Sequence, residues 1–294
     1  MNEELEILRL ADYSEKFTEG DANAYLIVNR EISEHPCMFG FVNLPEDLDC
    51  TKKLFSKIEA KARAMGFKEL IGPINHDTWM DYRWALDNYD WQLTPDCANP
   101  PYYVDYIRNL DYSELYTYRS ALVKIDNPLF RLGKSVLIQK TVQGFRFEKY
   151  QNAECAPLMR DIFEISRDAF AGTELYSDIP YNYFEKLYVN KLKDIPGLTI
   201  FVAYSPQDVP IGYVLGYPSP DGKMFISKTS AVIKKYQRTK VYTALLYLGL
   251  QHIQSLGFDE TLFHFQCEQR KTFKRFDGEI EGREKRYAVF KKEL

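Results

Sequence analysis

One local pattern occurs twice in this chain of 294 residues and constrains its fold more than any other feature. Residues 61–75 read KARAMGFKELIGPIN, and residues 253–267 read IQSLGFDETLFHFQC. In each copy a Gly-Phe pair separates an amphipathic, helix-like segment from a strand-like one. Gly66 and Gly257 suit the left-handed position that follows a helix C-terminus. The chain is therefore predicted to repeat one helix–turn–strand unit.

A strand candidate precedes each copy of this unit. It reads CMFGFVNL at 37–44 and KMFISKTSAV at 223–232, and a helix follows each one. The interval from Met224 to Gly257 is five residues longer than the interval from Met38 to Gly66. This surplus falls in a basic turn within 232–246, VIKKYQRTKVYTALL. The pattern predicts two related α/β units, of which only the second has this turn.

The remaining patterns divide the chain into two parts. The second half is predicted to follow the order β-α-α-β-β-β-α-β over residues 145–267, with a closing strand at 283–294. Residues 125–144 contain DNPLFRLGK and are interpreted as a Pro/Gly-containing connector. We therefore expect one domain at 1–125, a connector at 126–144 and a second domain at 145–294. The fold class is α/β, with a mostly antiparallel central sheet flanked by helices in each domain.

Composition excludes several classes of protein. The formal net charge of −4 argues against general nucleic-acid binding, which usually needs a basic surface. No apolar stretch reaches the ~18–20 residues of a membrane span, and the acidic N-terminal segment does not resemble a signal peptide. The five cysteines are scattered and show no CxxC spacing, so that neither a disulfide framework nor a metal site is expected: Cys37, Cys50, Cys97, Cys155 and Cys267. A cytoplasmic protein is the expectation.

The basic turn and its flanks resemble the central motif of the GNAT N-acyltransferase superfamily, V-x-P-x-[YF]-[RQ]-G-x-G-[IV]-[GA]-x-x-L. The residues that keep the register are Val232, Tyr236, Gln237, Val241 and the run Thr243–Leu246. Lys234 replaces the common proline. Arg238, Lys240 and Tyr242 replace three positions that are usually glycine or another small residue. The resemblance implies a GNAT fold in the second half.

The first half resembles the degenerate N-terminal domain of a subgroup of tandem GNAT-like proteins. The match is carried by GPIN at 72–75, by NPPYY at 99–103 and by an aromatic run between them. That run consists of Trp79, Tyr82, Trp84 and Trp91. In this subgroup the N-terminal domain has no phosphate-binding loop, in agreement with the shorter first copy. NPPYY itself is predicted to be a rigid turn.

The resemblance implies an enzyme that transfers an acyl group, most simply acetyl, from acyl-CoA to a primary amine of a small molecule or peptide by direct attack. The cofactor would lie in a splay between the strands at 223–232 and 260–267, and its pyrophosphate at the start of the following helix. The implied cofactor-binding residues are Ser230, Ala231, Val232, Gln237, Arg238, Thr239, Lys240, Val241, Tyr242 and Thr243. The other interpretation is a solvated basic turn that binds no ligand.

Two residues are candidates for the general base, His264 on the last central strand and Glu268 at its end. Strand alternation predicts that His264 and Gln266 share one face, and that Phe265 lies on the other. The family often places an acidic tyrosine some seven residues after this strand, where this sequence has Lys274. Tyr287 is an alternative acid. A second basic cluster follows the strand: Arg270, Lys271, Lys274 and Arg275.

A polar cluster in the first half, at Asn75, His76, Asp77 and Trp79, is either a wall of the acceptor site or a contact between the two halves. His76 and Asp77 are adjacent in the chain and are not expected to face each other.

Two other functions of the protein remain open. In the first, the same fold takes the acyl group from an acyl carrier protein; an aminoacyl-tRNA donor is disfavoured by the negative net charge. In the second, the chain is a non-catalytic binding protein derived from the GNAT fold.

Overall fold

The computed structural model of the protein describes residues 3–93, 98–269 and 283–294. Its strands are β1 Tyr13–Glu19, β2 Ala22–Val28, β3 Cys37–Asn43, β4 Glu69–Gly72, β5 Trp84–Ala85, β6 Ser113–Lys124, β7 Arg146–Gln151, β8 Thr199–Tyr204, β9 Pro210–Pro218, β10 Phe225–Val232, β11 Glu260–Cys267 and β12 Glu284–Glu293. Its α-helices are α1 Glu3–Leu8, α2 Leu48–Ala64, α3 Pro101–Asn109, α4 Pro128–Val142, α5 Met159–Phe170, α6 Tyr181–Phe184, α7 Asn190–Leu192 and α8 Val241–Ser255. Short 3-10 helices cover Asn152–Leu158 and Lys234–Tyr236, and a π-helical turn at Glu185–Val189 joins α6 to α7.

The repeated unit has the same local structure in both copies. Gly66 and Gly257 have φ values of 87° and 88°, which a side chain would strain. The amide of the following phenylalanine donates back to the helix in both cases, from Phe67 to the Ala62 carbonyl at 3.1 Å and from Phe258 to the Ile253 carbonyl at 3.3 Å. This hydrogen bond closes the helix C-terminus as in a Schellman motif. The predicted helix–turn–strand repeat is confirmed.

The two halves share one continuous mixed sheet. Within the described ranges its strand order is β1-β2-β3-β4-β12-β6-β11-β10-β9-β8-β7, with β5 also paired to β12. Only the pairs β3–β4 and β10–β11 are parallel, since a helix connects the two strands of each. The last strand of the chain therefore lies between two strands of the first half. Conversely, β6 of the first half pairs with β11 of the second half.

Strand β12, called the exchanged strand because it belongs to the second half and pairs with β4 and β6 of the first, is buried on both faces. Ala288 and Phe290 pack in one apolar cluster with α2 and α3, whereas Tyr287 and Val289 pack in another on the opposite face of the sheet. All four side chains are fully buried. At the end of the strand, Lys292 forms an ion pair with Glu59 on α2, with an Nζ–Oε1 distance of 2.8 Å. The C-terminal segment is thus part of the core of the first half.

The connector predicted at 126–144 contains helix α4. Asn127 caps it by accepting a hydrogen bond from the Phe130 amide at 3.0 Å, and Pro128 occupies the first turn, where its missing N–H costs nothing. Gly133 allows close packing on α8, because a Cβ atom there would lie 2.4 Å from the Cβ of Tyr247. The proline and glycine that suggested irregular structure instead start the helix and allow it to pack.

The NPPYY stretch is also helical and not a turn. Pro100 is the N-terminal cap of α3, and Pro101 is its first residue. The rings of Tyr102 and Tyr103 are 5.3 Å apart at an angle of 63°, so that they contact edge to face. Proline favours both turns and first helical positions, and here the second preference is realised.

Within the described parts of the chain, no helix combines the length and the apolar character that crossing a membrane requires.

Candidate functional site

A cleft of about 1620 Å³ opens where β10 and β11 separate. The two strands pair in parallel only over Phe225–Ser227 and Thr261–Phe263. Beyond this point β10 remains paired with β9, and β11 remains paired with β6. The edge of β10 that faces the cleft therefore has backbone groups without a strand partner. Such an edge can hydrogen-bond an extended ligand.

A β-bulge on each strand causes this separation. On β10 the register with β9 shifts between Ser227 and Thr229. On β11 the register with β6 shifts between Phe263 and Gln266, and Phe265 has a φ of 53°. A bulge bends its strand and leaves one residue out of the ladder. Because the two bulges lie at similar depths, the strands diverge and form a V-shaped opening.

The basic turn between β10 and α8 adopts the backbone of a glycine-containing loop without the glycines. Arg238 and Lys240 have φ values of 66° and 67°. These are two of the positions at which the GNAT motif has glycine. A non-glycine residue in the left-handed region costs about 1 kcal/mol or more, and such strain collects at functional sites. Gln237 stabilises the turn by donating from Nε2 to the Val232 carbonyl at 3.1 Å.

The N-terminus of α8 has no side-chain cap and no acidic residue in its first turn. Its first amide groups face a cleft bordered by the side chains of Arg238, Lys240, Tyr242 and Thr243. Helix N-termini carry about half a positive charge and favour anions. Together with the two basic side chains, this end of the cleft is suited to a polyanion such as a pyrophosphate.

The equivalent helix of the first half is capped by its own side chain. Asp47 accepts a hydrogen bond from the Cys50 amide at 2.9 Å at the start of α2. The space between β3 and β4 is closed as well, because Asn75 Oδ1 accepts from the Phe41 amide at 2.6 Å. A Cβ atom on Gly40 would lie 2.2 Å from the Ile74 carbonyl oxygen. The first copy of the unit thus has neither the open splay nor the free helix end.

The predicted cofactor-binding residues lie around the end of the cleft at the start of α8, but they do not all line it. Ser230, Ala231, Val232, Gln237, Arg238, Lys240, Tyr242 and Thr243 do. Val241 is instead fully buried in the core beneath α8, and the Thr239 hydroxyl donates to the Tyr236 carbonyl at 2.6 Å. These two residues contribute backbone to the turn.

His264 lines the cleft on the β11 side, next to the bulge. Its side chain is 2% exposed, and Nδ1 lies 2.8 Å from the Ser120 hydroxyl. Its ring stacks on Phe265, with centroids 3.7 Å apart. The prediction that alternation places His264 and Phe265 on opposite faces is therefore wrong, since the bulge changes the direction of Phe265. The imidazole is oriented by Ser120 and by this ring.

Glu268, the second candidate base, lies outside the cleft lining. Its Oε1 atom accepts from Nε and Nη2 of Arg119, at 2.8 and 2.5 Å. The carboxylate is thus engaged by the Arg119 guanidinium. Tyr287, the alternative acid, is fully buried in β12 and does not line the cleft either.

His76 and Asp77 do contact each other, contrary to the expectation from their adjacency. The left-handed φ of 114° at His76 turns its ring so that Nδ1 lies 2.9 Å from Asp77 Oδ2. The same carboxylate oxygen accepts from the Ser177 hydroxyl at 2.8 Å. Trp79 Nε1 donates to the Ser177 carbonyl at 3.0 Å. The cluster is thus a buried contact between residues of the two halves.

Trp79 lines the cleft, in agreement with one of the two interpretations of its cluster, whereas several other lining residues have no signal in the sequence. The segment 78–83 of the first half forms one wall, and residues of α4 form part of another. Tyr176 also lines the cleft and donates to Asp178 at 2.6 Å. Burial, followed by this hydrogen bond, raises the pKa of Tyr176 above its usual value. The proton of this phenol is engaged and is not readily given to a leaving group.

Some predicted residues lie outside the described parts of the chain. These are Cys97, the basic cluster Arg270, Lys271, Lys274 and Arg275, and with it the position of the family's acidic tyrosine. Among the described residues, no group of three His, Cys, Asp or Glu side chains is arranged to hold a metal ion.

Comparisons with known proteins identify the fold. No family model matches the sequence, and no curated protein matches it. A tandem GNAT protein from the clavulanic acid biosynthesis pathway has a similar structure, with a TM-score of 0.50 and 9% identity over 92% of this chain and 78% of that one. A GCN5-related N-acetyltransferase from Sphaerobacter thermophilus has a TM-score of 0.50 and 11% identity over 93% of this chain and 76% of that one.

A conserved protein from Enterococcus faecalis, described as a probable N-acyltransferase, has a TM-score of 0.51 and 11% identity. This match covers 93% of the present chain and 59% of that one. At such low identities the similarity establishes the fold alone. The predicted fold class, a mostly antiparallel α/β sheet flanked by helices and of GNAT type, is confirmed.

Proposed function

We propose that the protein is an N-acyltransferase that moves an acyl group from acyl-CoA to a primary amine. The observation that carries the proposal is the uncapped start of α8, where Arg238 and Lys240 adopt glycine-like backbone conformations beside the splay of β10 and β11. Strained left-handed residues and an open helix end are both unfavourable without a ligand. A pyrophosphate would accept hydrogen bonds from the first amides of α8 and pair with the two basic side chains.

The pantetheine arm would extend from this end of the cleft along the edge of β10 that lies opposite β9, at Ser230–Val232. Its amides would hydrogen-bond the strand backbone, as an added strand does. This arrangement places the thioester near the point where β10 and β11 separate, close to His264.

In the reaction, the amine nitrogen attacks the thioester carbonyl carbon, and its proton passes to His264. The tetrahedral intermediate then collapses with cleavage of the carbon–sulfur bond. The thiolate of CoA leaves and takes up a proton from solvent, and protonated His264 returns its proton to solvent. His264 needs to be neutral before the attack, because only a neutral imidazole can accept the proton. The first half would contribute the wall at 78–83 that shapes the acceptor site and would bind no CoA itself.

We expect Lys240→Ala to weaken CoA binding by about 1–2 kcal/mol, or roughly 5- to 30-fold. Dephospho-CoA should lose affinity equally, because the contact is to the pyrophosphate. Isothermal titration calorimetry with both ligands measures this. Lys134→Ala removes an exposed lysine of α4 that does not line the cleft, and it should leave binding unchanged.

The same titrations distinguish the proposal from two alternatives. A user of acyl carrier protein would bind 4′-phosphopantetheine about as tightly as CoA, because the adenosine diphosphate moiety would add nothing. The half-buried Tyr242, which narrows the phosphate end of the cleft, is the observation in favour of that donor. A non-catalytic binding protein would bind a ligand without turnover. Wild-type protein that ignores millimolar acetyl-CoA would refute the CoA proposal.

We expect His264→Gln to lower kcat/KM by ~10²–10⁴-fold, the usual contribution of a general base. Glutamine retains a hydrogen-bonding group toward Ser120, so that the fold and the affinity for CoA should be preserved. His252→Gln is a suitable control, since His252 lies on α8 outside the cleft lining. An unchanged rate in the His264 variant would exclude this residue as the base.

A further inference from the structure

Arg83 is held in a strained conformation in the wall that the first half contributes to the cleft. Its φ is 73°, a left-handed value that is unusual for arginine. Its amide donates to the Pro73 carbonyl at 3.0 Å, and a β-bridge joins Ile74 to Tyr82 just before it. The surrounding backbone thus fixes the direction of the side chain. An observed strain of this kind motivates a functional hypothesis.

Aromatic rings surround the guanidinium group of Arg83. Its Cζ atom lies 3.7 Å from the ring centres of both Tyr82 and Phe265, and 4.7 Å from that of Tyr118. Nη1 donates to the Tyr82 hydroxyl at 2.7 Å. The residue is 8% exposed, yet it lines the cleft. The rings stabilise the cation and hold its plane, while the cleft gives a ligand access to it.

Phe265 connects Arg83 to the candidate base. The imidazole of His264 stacks on the Phe265 ring at 3.7 Å, the same distance as the guanidinium. Two groups cannot occupy the same space over one ring face, so they lie on opposite faces. A single aromatic ring therefore separates the cation from the imidazole. A ligand whose amine is deprotonated at His264 can present a second group to Arg83 only a few bonds away.

The charge of the cleft favours an anion as that second group. Apart from Lys191, which forms an ion pair with Glu3 at an Nζ–Oε1 distance of 2.6 Å, the charged side chains that line it include four cations and two carboxylates: Arg83, Lys228, Arg238 and Lys240 against Asp81 and Glu174. Arg238 and Lys240 lie at the phosphate end. Arg83 lies on the wall built by residues 78–83, next to Phe265. A rigid guanidinium matches a carboxylate with two parallel hydrogen bonds.

We propose that Arg83 binds a carboxylate of the acceptor, and that the acceptors are small amino acids whose amine lies within a few bonds of the carboxylate. This inference rests on the proposed acyl transfer. It narrows the acceptor class, because simple amines lack the carboxylate and because in long peptides the carboxylate lies too far from the amine.

The test compares primary amines in pairs that differ only by the carboxylate, L-lysine with cadaverine and L-tyrosine with tyramine. With acetyl-CoA as donor, we expect the carboxylate member of at least one pair to have a kcat/KM about tenfold higher or more. Arg83→Met should abolish this preference and leave CoA affinity unchanged. Arg83→Lys should retain part of it, because the charge remains but the planar two-point contact is lost. A preference that survives Arg83→Met would overturn the assignment.

Arg160→Met is the matched control. The Arg160 guanidinium also lies over a ring, 4.3 Å from the centre of Tyr181, but it is exposed and outside the cleft lining. This variant should keep the wild-type preference. Melting temperatures of all three variants show whether each one folds.

Saturation-transfer NMR without donor separates this inference from the proposed function. The wild type should show binding of a carboxylate probe that exceeds binding of its amine partner, and Arg83→Met should remove the difference. This result supports the inference even where acetyl-CoA fails to bind, in which case only the acyl-CoA proposal falls. Equal or absent binding of both members in every pair refutes the role of Arg83.

Discussion

Thr243→Glu should abolish acyl-CoA binding and at the same time stabilise the free protein. Thr243 is the third residue of α8 and borders the phosphate end of the cleft. A glutamate in the first turn of a helix interacts favourably with the helix dipole, by about 0.3–1 kcal/mol. The same carboxylate would occupy the position of a bound phosphate and repel it. Stability and binding should therefore change in opposite directions.

The repulsion should be large. Two unit charges about 4 Å apart interact by ~4 kcal/mol near a protein surface, so that affinity should fall by at least ~100-fold. Asp47, which caps α2 in the first half, shows what an acidic side chain does at the start of the related helix. Calorimetry with CoA and thermal unfolding of the unliganded protein measure the two effects.

Thr243→Gln is the control for size. It is neutral, so that any loss of affinity that it shares with Thr243→Glu is steric and not electrostatic. Raising the salt concentration should partly restore binding to the glutamate variant, because screening weakens repulsion at an exposed site. Normal CoA binding by Thr243→Glu would show that the start of α8 is not the phosphate site.

The sequence predicts the local elements of this fold well because local interactions determine them. The Gly-Phe pairs mark the ends of α2 and α8, since glycine alone adopts the left-handed conformation there without strain. The strands on either side of each helix follow from their apolar runs. The basic turn at 233–240 is located by its excess length relative to the first copy. These features give the position of the cleft.

The features that the sequence does not predict depend on distant parts of the chain or on rare backbone conformations. Alternation along β11 fails at Phe265 because a bulge, which leaves no mark in residue type here, turns that side chain toward His264. Arg238 and Lys240 keep the backbone of glycines that the sequence has lost. Arg83 enters the cleft from the other half of the chain, so that no local spacing relates it to the site.

The position of β12 between β4 and β6 also depends on distant parts of the chain and is not predicted by the sequence. The apolar run before the C-terminus predicts a strand, but periodicity gives only the faces that it buries and not its neighbours. The neighbours prove to be β4 and β6, both formed by the first half. The proposed boundary at 125 therefore separates β12 from the strands with which it pairs. The stability of the first half should therefore depend on β12.

We expect Phe290→Ala to destabilise the protein by about 3–5 kcal/mol, the usual cost of removing a buried aromatic ring. Phe290 is fully buried in β12 and contacts Trp84, with ring centres 6.2 Å apart. Chemical unfolding monitored by tryptophan fluorescence measures the change. Val142→Ala, at an 84% exposed residue of α4, should stay within about 0.5 kcal/mol of the wild type.

Fragment 1–125 should not fold by itself, for the same reason. Without β12, β4 and β6 lose the strand between them, Glu59 loses its ion pair with Lys292, and the apolar clusters on both faces of the sheet open to water. Addition of a peptide of residues 283–294 should restore part of the structure, because it supplies the missing strand as in strand complementation. Circular dichroism of the fragment with and without the peptide tests this. A fragment that folds cooperatively without the peptide would show that the first half is stable without the exchanged strand.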